Sequence, residues 1–395
     1  MNSYIEPKKP GIRNENGRLR LLLAILLTLY VACASAYIPT VLFTNIIPAS
    51  LSLALSMAMP LAGIGVCILV TVSPKPIIPF CFIAAFILFF GINVVLSSVL
   101  CVFLILIAIY AYLFEQRLWF AALLANVLSL AALFFLSGSI AVLLLSLAFI
   151  PAALMLFSSF RQKNQRVASV VSISSAMALT LTVALLAFIY VKDGNLYAET
   201  LRTFFDSLKT QITEAVVTAL TNALTNVELP ITPADAKAIA LSAITFTFNL
   251  LPAILAIVFF VISFVAHSLY ISILSVTVED KREITNAVTF KMSVTSAVIF
   301  IVSYLLALIL SSDGIGVYAV AAQNLYTILF PGFTLVCFGF FGGLVRSGKG
   351  SCLGTLVYFA MFALLFVFTD VMLVIASFAG ALIVIISEIK SRGRK

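Results

Sequence analysis

The chain is poor in histidine, tryptophan and charge. It holds one His, one Trp and 10% charged residues in 395, where a soluble domain carries roughly 25% charged residues. Between Leu21 and Ile105 the only charged side chain is Lys75, and only Glu115 and Arg117 follow before Arg161. A soluble core could not hide that much apolar surface. About 20 apolar residues in a row already span a bilayer, and the sequence supplies many such runs in series.

The same scarcities exclude several chemistries. One histidine, His267, cannot make an HExxH zinc pair. A two-aspartate protease needs paired carboxylates in the membrane. The one carboxylate inside an apolar block, Asp370, falls at a turn between predicted spans. No predicted span contains a lysine for a Ser-Lys dyad, and no GxSxG, P-loop or aspartate-rich diphosphate motif is present. The chain therefore reads as a non-enzyme that needs no cofactor or metal and hydrolyses no nucleotide. Ion-coupled carriers keep an acidic residue mid-membrane. Lacking one, this chain reads as a facilitator, or as a substrate-binding subunit driven by a partner. The six cysteines, Cys33, Cys67, Cys81, Cys101, Cys337 and Cys352, lie in or beside apolar runs without a CxxC pair. They read as small buried residues rather than disulfides or metal ligands.

What is present is an all-α pattern: a polytopic transmembrane helix bundle of about 12 spans (10 to 12), with an external amphipathic helical hairpin. Spans are predicted near 20–37, 50–72, 77–90, 94–114, 119–136, 140–159, 168–190, 241–275, 293–310, 319–344, 352–368 and 371–389. The blocks 77–114 and 352–389 are each too long for one crossing. At 1.5 Å per residue each would make a helix of about 57 Å, against a hydrocarbon core of about 30 Å. Gly91-Ile92-Asn93 and Thr369-Asp370 are the natural turning points. The organisation is a basic tail (1–19), an N-terminal bundle (20–190), an extracytoplasmic insert (191–240), a C-terminal bundle (241–389) and a second basic tail (390–395). Ala34-Ser35-Ala36 resembles a signal-peptidase site, but the first apolar run reads as an uncleaved span.

The net charge of +8 does not point to nucleic acid, because the basic residues sit in tails and alternate loops. With twelve spans and a cytoplasmic N-terminus, all but four of the 23 basic residues lie inside. The exceptions are Lys192, Arg202, Lys209 and Lys237. That asymmetry orients membrane proteins, so a plasma-membrane protein with both termini cytoplasmic is expected. Its first partner is the lipid bilayer.

In the insert, Tyr197, Leu201, Phe204, Leu208, Ile212, Val216, Leu220, Leu224 and Val227 recur at three- and four-residue steps. This predicts an amphipathic helix of about eight turns, ending before Pro230. Thr232-Pro233-Ala234-Asp235 predicts a second helix start, with Pro at the first helical position. That helix runs on through Pro252, a predicted kink. The stripe reads either as a cap on the protein's own bundle or as a surface for lipid or a membrane partner protein.

The candidate intramembrane polar site is Asn126, Asn249, His267, Gln323 and Asn324. A membrane histidine is a functional candidate by default, and a helix-packing hydrogen bond is the alternative for His267. The four amides either join helices or line the path of a small-molecule ligand. Gly339-Phe340-Phe341-Gly342-Gly343 offers a GxxxG face for close helix contact.

The order of features in residues 195–390 carries a resemblance. An amphipathic helix leads into Leu250-Leu251-Pro252. A charged loop and Tyr304-Leu305-Leu306-Ala307-Leu308 follow, then Gln323-Asn324-Leu325, Pro331-Gly332 and Gly339, and a last hairpin with a basic tail. This resembles the YybS-like family of bacterial multi-pass membrane proteins of unknown function, with Pro331-Gly332 where a Gln-Gly pair is expected. The first six spans are similar in arrangement to the substrate-binding subunits of energy-coupling-factor vitamin transporters. That likeness implies small-molecule binding between helices near mid-membrane. The expected function is thus transport-related, with a non-transporting envelope scaffold as the alternative.

Overall fold

The structure, a computed structural model, describes residues 17–43, 49–71, 94–115, 118, 120–121, 123–128, 131, 149–162, 165–225, 233–274, 290–311, 316–346 and 369–392. The helices of the described residues are α1 (Gly17–Phe43), α2 (Ala49–Thr71), α3 (Val94–Glu115), α4 (Phe149–Arg161), α5 (Arg166–Asp193), α6 (Ala198–Thr225), α7 (Pro233–Leu274), α8 (Val294–Ser311), α9 (Val317–Arg346) and α10 (Thr369–Arg392). Residues 120–121 and 123–128 are helical as well, and no strand occurs among the described residues. The predicted spans at 77–90 and 352–368, the turn at Gly91-Ile92-Asn93 and the link at 226–232 lie outside them.

Five stretches are long and apolar enough to cross a membrane: Ser98–Glu115, Arg166–Val191, Ala240–Ile271, Val317–Phe341 and Met372–Arg392. Ile25–Ile38, Leu51–Cys67, Phe149–Arg161 and Val294–Leu310 are shorter apolar helices. Large apolar side chains point outward along them, with Leu179 67%, Val191 64% and Ile309 64% exposed. A water-soluble monomer rarely shows so much contiguous apolar surface, whereas lipid tails accept it. The fold is that of a helical protein suited to a membrane.

The chain divides into two compact units. The first comprises residues Met1–Phe188 and Phe259–Phe290, the second Ile189–Val258 and Lys291–Lys395. The division runs through α7, so its second half (from Phe259) belongs with the N-terminal helices rather than with the C-terminal bundle.

In the first unit α3 is central. Ile105 to Ala111 are all buried, and α1, α2 and α4 pack against this helix. Lipid is as apolar as leucine, so helices in a membrane associate through close packing and interhelical hydrogen bonds. Tyr37 supplies such a bond twice. Its hydroxyl lies 2.9 Å from Ser56 Oγ and 2.9 Å from Ser98 Oγ, tying α1, α2 and α3 together. Gly63 leaves room for the Tyr30 hydroxyl, whose place a Cβ would take.

In the second unit α8, α9 and α10 pack on one another around Phe300 and Phe333. Phe300 meets Phe333 at 5.1 Å and Phe378 at 5.2 Å between ring centroids, and Tyr304 meets Phe378 edge-on at 4.8 Å. The close helix contact is between α9 and α10. Ser377 Oγ lies 2.8 Å from Thr334 Oγ1 and donates to the Phe330 carbonyl at 3.2 Å. A Cβ at Gly380 would drive into the backbone carbonyl of Phe333. The small residue that permits this approach is therefore Gly380. A Cβ at Gly339, the glycine expected to do so, meets nothing within 4 Å.

Helix ends follow local chemistry. Gly194, with φ of 73°, ends α5 in the left-handed conformation, and its N–H reaches the Tyr190 carbonyl at 2.9 Å. Asn195 then precedes the next helix and braces its first turn. Its Oδ1 accepts from Thr200 Oγ1 at 2.5 Å and from the Tyr197 N–H at 3.4 Å. Ser293 caps α8 by accepting the Ser296 N–H at 3.1 Å. α7 begins at Pro233, as the proline signal predicts, and α6 is described as far as Thr225.

Candidate functional site

One face of the second half of α7 carries Ser263, His267 and Tyr270. Their spacing of four and then three residues places them in line along a helix. Buried Ile262, Val265, Ala266 and Leu269 flank them. Ser263 is satisfied: it accepts from Ser174 Oγ at 3.0 Å and contacts Met177 Sδ at 3.8 Å on α5. The other two are not. His267 is 2% exposed, and its Nδ1 has no hydrogen-bond partner among the described residues. Tyr270 is fully buried with its ring edge-on to Phe160 at 5.6 Å, and its hydroxyl also lacks a partner among the described residues. Such orphaned groups cost free energy, and native proteins retain few of them.

Charges gather around this face. Arg166, the first residue of α5, donates to Ser268 Oγ, and its guanidinium lies 4.0 Å over the Phe264 ring. Arg161, at the end of α4 and adjacent to Phe160, pairs with Glu115 of α3 at 3.8 Å and lies 4.7 Å over Phe157. Glu115 Oε2 is buried, and among the described residues no group is within hydrogen-bond distance of it. Glu115 stands at a helix C-terminus and Arg166 at an N-terminus. Each is at the end whose partial charge opposes it. Charges placed against the helix dipoles, beside orphaned polar groups, break local rules of the kind that functional sites break.

The expected site residues divide between the units. In the first, Asn126 donates through Nδ2 to the hydroxyl of buried Tyr110, while its Oδ1 is buried and has no partner among the described residues. Tyr110 is held edge-on by Phe149 at 5.0 Å and Phe114 at 5.6 Å. Asn126 and His267 form no hydrogen bond with each other. In the second unit Asn249 and Asn324 do meet. Asn324 Nδ2 donates to the Asn249 carbonyl at 2.8 Å and to the Val320 carbonyl at 2.9 Å, and its Oδ1 accepts the Ala253 N–H at 3.1 Å. It is the backbone of Asn249, not its side chain, that takes part. Gln323, the neighbour of Asn324 on α9, is half-buried and does not share in this bridge.

Sequence reasoning passed over Tyr270, Glu115, Arg166 and Tyr110. Tyr270 could have been found, since it shares a helical face with His267 and Ser263. The approach of Glu115 to Arg161 depends on tertiary packing. Among the described residues no three of His, Cys, Asp and Glu gather where they could hold a metal ion.

Comparison of the chain with family models, curated proteins and solved structures finds no match. The class is therefore given by the fold alone: an all-α protein whose apolar helices suit a membrane.

Proposed function

We propose that this chain is a multi-pass plasma-membrane protein, with both termini cytoplasmic, that has a transport-related role. It binds or passes a small polar molecule between its helices and has no ATPase of its own. The YybS-like order of its C-terminal half accords with the multi-pass part of this reading and does not bear on the role. The observation that carries it is the pair of buried, unpartnered polar atoms, His267 Nδ1 and Tyr270 Oη, on one face of α7. An acceptor or donor at each is what a polar ligand would offer, and intramembrane polar residues mark such sites.

The test is ligand-induced stabilisation of the purified protein in lipid nanodiscs, screened against amino acids, sugars, nucleobases and vitamins. A ligand of the native state raises Tm by mass action. One chemical class is expected to raise the Tm of the wild type and leave that of His267→Ala unchanged. Equal responses of both proteins to every class would overturn the assignment.

A second reading, an envelope scaffold without transport, is favoured by the outward-facing apolar edge of α6. Phe205, Ile212 and Val216 are exposed there.

A further inference from the structure

The apolar stripe of α6 has two edges. At about 100° per residue, Leu201, Phe204 and Leu208 fall together, and these three are half-buried. Phe205, Ile212 and Val216 fall on the adjoining edge, and all three are exposed. The opposite face holds Asp206, Ser207 and Glu214, with Arg202 at its margin 3.7 Å from Asp206. Among the described residues no other helix makes an extended close backbone approach to α6.

Chain connectivity limits what can cover the exposed edge. α6 starts four residues after α5 ends, a link of at most about 14 Å. α5 is apolar and long enough to cross a membrane. Its last turn exposes Tyr190 and Val191, and the link exposes Leu196 and Tyr197. Tyrosines of this kind favour the membrane–water interface. The outward apolar surface thus continues from the end of a candidate span, through the link, onto Phe205, Ile212 and Val216. After α6, fourteen residues precede the candidate span Ala240–Ile271 of α7, and the last seven of them are already helical. The helix itself is about 42 Å long, so tethers this short favour a course along the membrane over one away from it. A tethered surface also acts at high effective concentration.

We propose that α6 is an interfacial helix. It lies at the headgroup–acyl boundary of the leaflet in which α5 ends, with Phe205, Ile212 and Val216 in lipid and Asp206, Ser207 and Glu214 in water. Glu199, Arg202, Asp206, Lys209 and Glu214 nearly cancel in charge. The occupant is therefore the lipid surface itself, held by apolar burial and not by attraction to anionic headgroups.

Site-placed tryptophan tests this in the full chain. Trp119 is replaced by Phe, and Phe205→Trp, Ile212→Trp, Val216→Trp and Ser207→Trp are each reconstituted in phosphatidylcholine nanodiscs. Lipids brominated high on the acyl chain are expected to quench the tryptophans at 205, 212 and 216 at least twofold. Aqueous iodide is expected to quench only the one at 207. Three exposed positions guard against misfolding of any one variant, and an unchanged Tm identifies the folded ones. Iodide quenching at 205, 212 and 216 equal to that at 207 would overturn the proposal. So would protection of these three from both quenchers, which would place the edge against protein. A steep rise in lipid quenching with added phosphatidylglycerol would also contradict it.

Discussion

The side-chain amide of Asn324 stands across the backbone ladder of α7. It donates to the Asn249 carbonyl at 2.8 Å and accepts the Ala253 N–H at 3.1 Å. Pro252 sits between these residues inside the helix. A proline interrupts the ladder and crowds the preceding turn, and a side chain inserted at the break can satisfy the groups it frees. One amide on α9 thus completes a helix that its own sequence weakens.

Asn324→Leu should therefore lower stability by about 1–2 kcal/mol, since it removes interhelical bonds and orphans two backbone groups. Adding Pro252→Ala should recover part of the loss, because Ala253 N–H can then return to the Asn249 carbonyl in a regular helix. Thermal melts of the two single variants and the double variant measure the coupling. Simple additivity would mean that the amide and the proline act separately.

Gly380 and Gly339 should respond differently to the same substitution. Gly380→Ala puts a methyl group into the Phe333 carbonyl and forces α9 and α10 apart. A loss of roughly 2 kcal/mol or more is expected, at the upper end of overpacking costs. Gly339→Ala adds its methyl group to open space and replaces a poor helix former with a good one, so Tm should hold or rise slightly.

Tyr270→Phe separates a ligand-binding hydroxyl from a structural one. The hydroxyl has no partner among the described residues, so its removal should leave the Tm of the ligand-free protein unchanged or raise it. The same variant should abolish ligand-induced stabilisation. His267→Gln should likewise spare membrane abundance. A sharp fall in abundance for either variant would make the face a packing element only.

Topology follows from the charge distribution. Cysteine labelling should reach position 395 only from the cytoplasm and position 206 only from outside, because all but four basic residues then lie inside. Labelling at 206 from the cytoplasmic side would overturn the orientation.

The helical character of the chain was legible because apolar runs of this length have few alternatives. The start of α7 was legible from Pro233, which acts locally. The partition of α7 at Val258 was not legible, since contacts between residues distant in sequence decide it. The role of Gly380 was hidden for a related reason. A small residue reveals a close approach only when the partner backbone is known, so the Gly339 motif drew attention that Gly380 merited. At the candidate site, His267 stood out as the one histidine of an apolar chain. Glu115 and Arg166 looked like ordinary loop charges until packing brought them to the face of α7. Asn324 was visible as a buried amide, but its bridging of Asn249 and Ala253 required two helices to be placed together.

The most direct test of the central claim is water access to the polar face of α7. Ser263→Cys is nearly isosteric and lies one turn from His267. It should be placed in a chain whose six native cysteines have been replaced by alanine or serine, then exposed to a membrane-impermeant thiol reagent in intact and inverted vesicles. Modification from at least one side under native conditions is the predicted result, with protection by any ligand that the thermal screen identifies. A thiol at position 263 that reacts from neither side until the protein is unfolded would show a sealed packing interface and contradict the transport-related account.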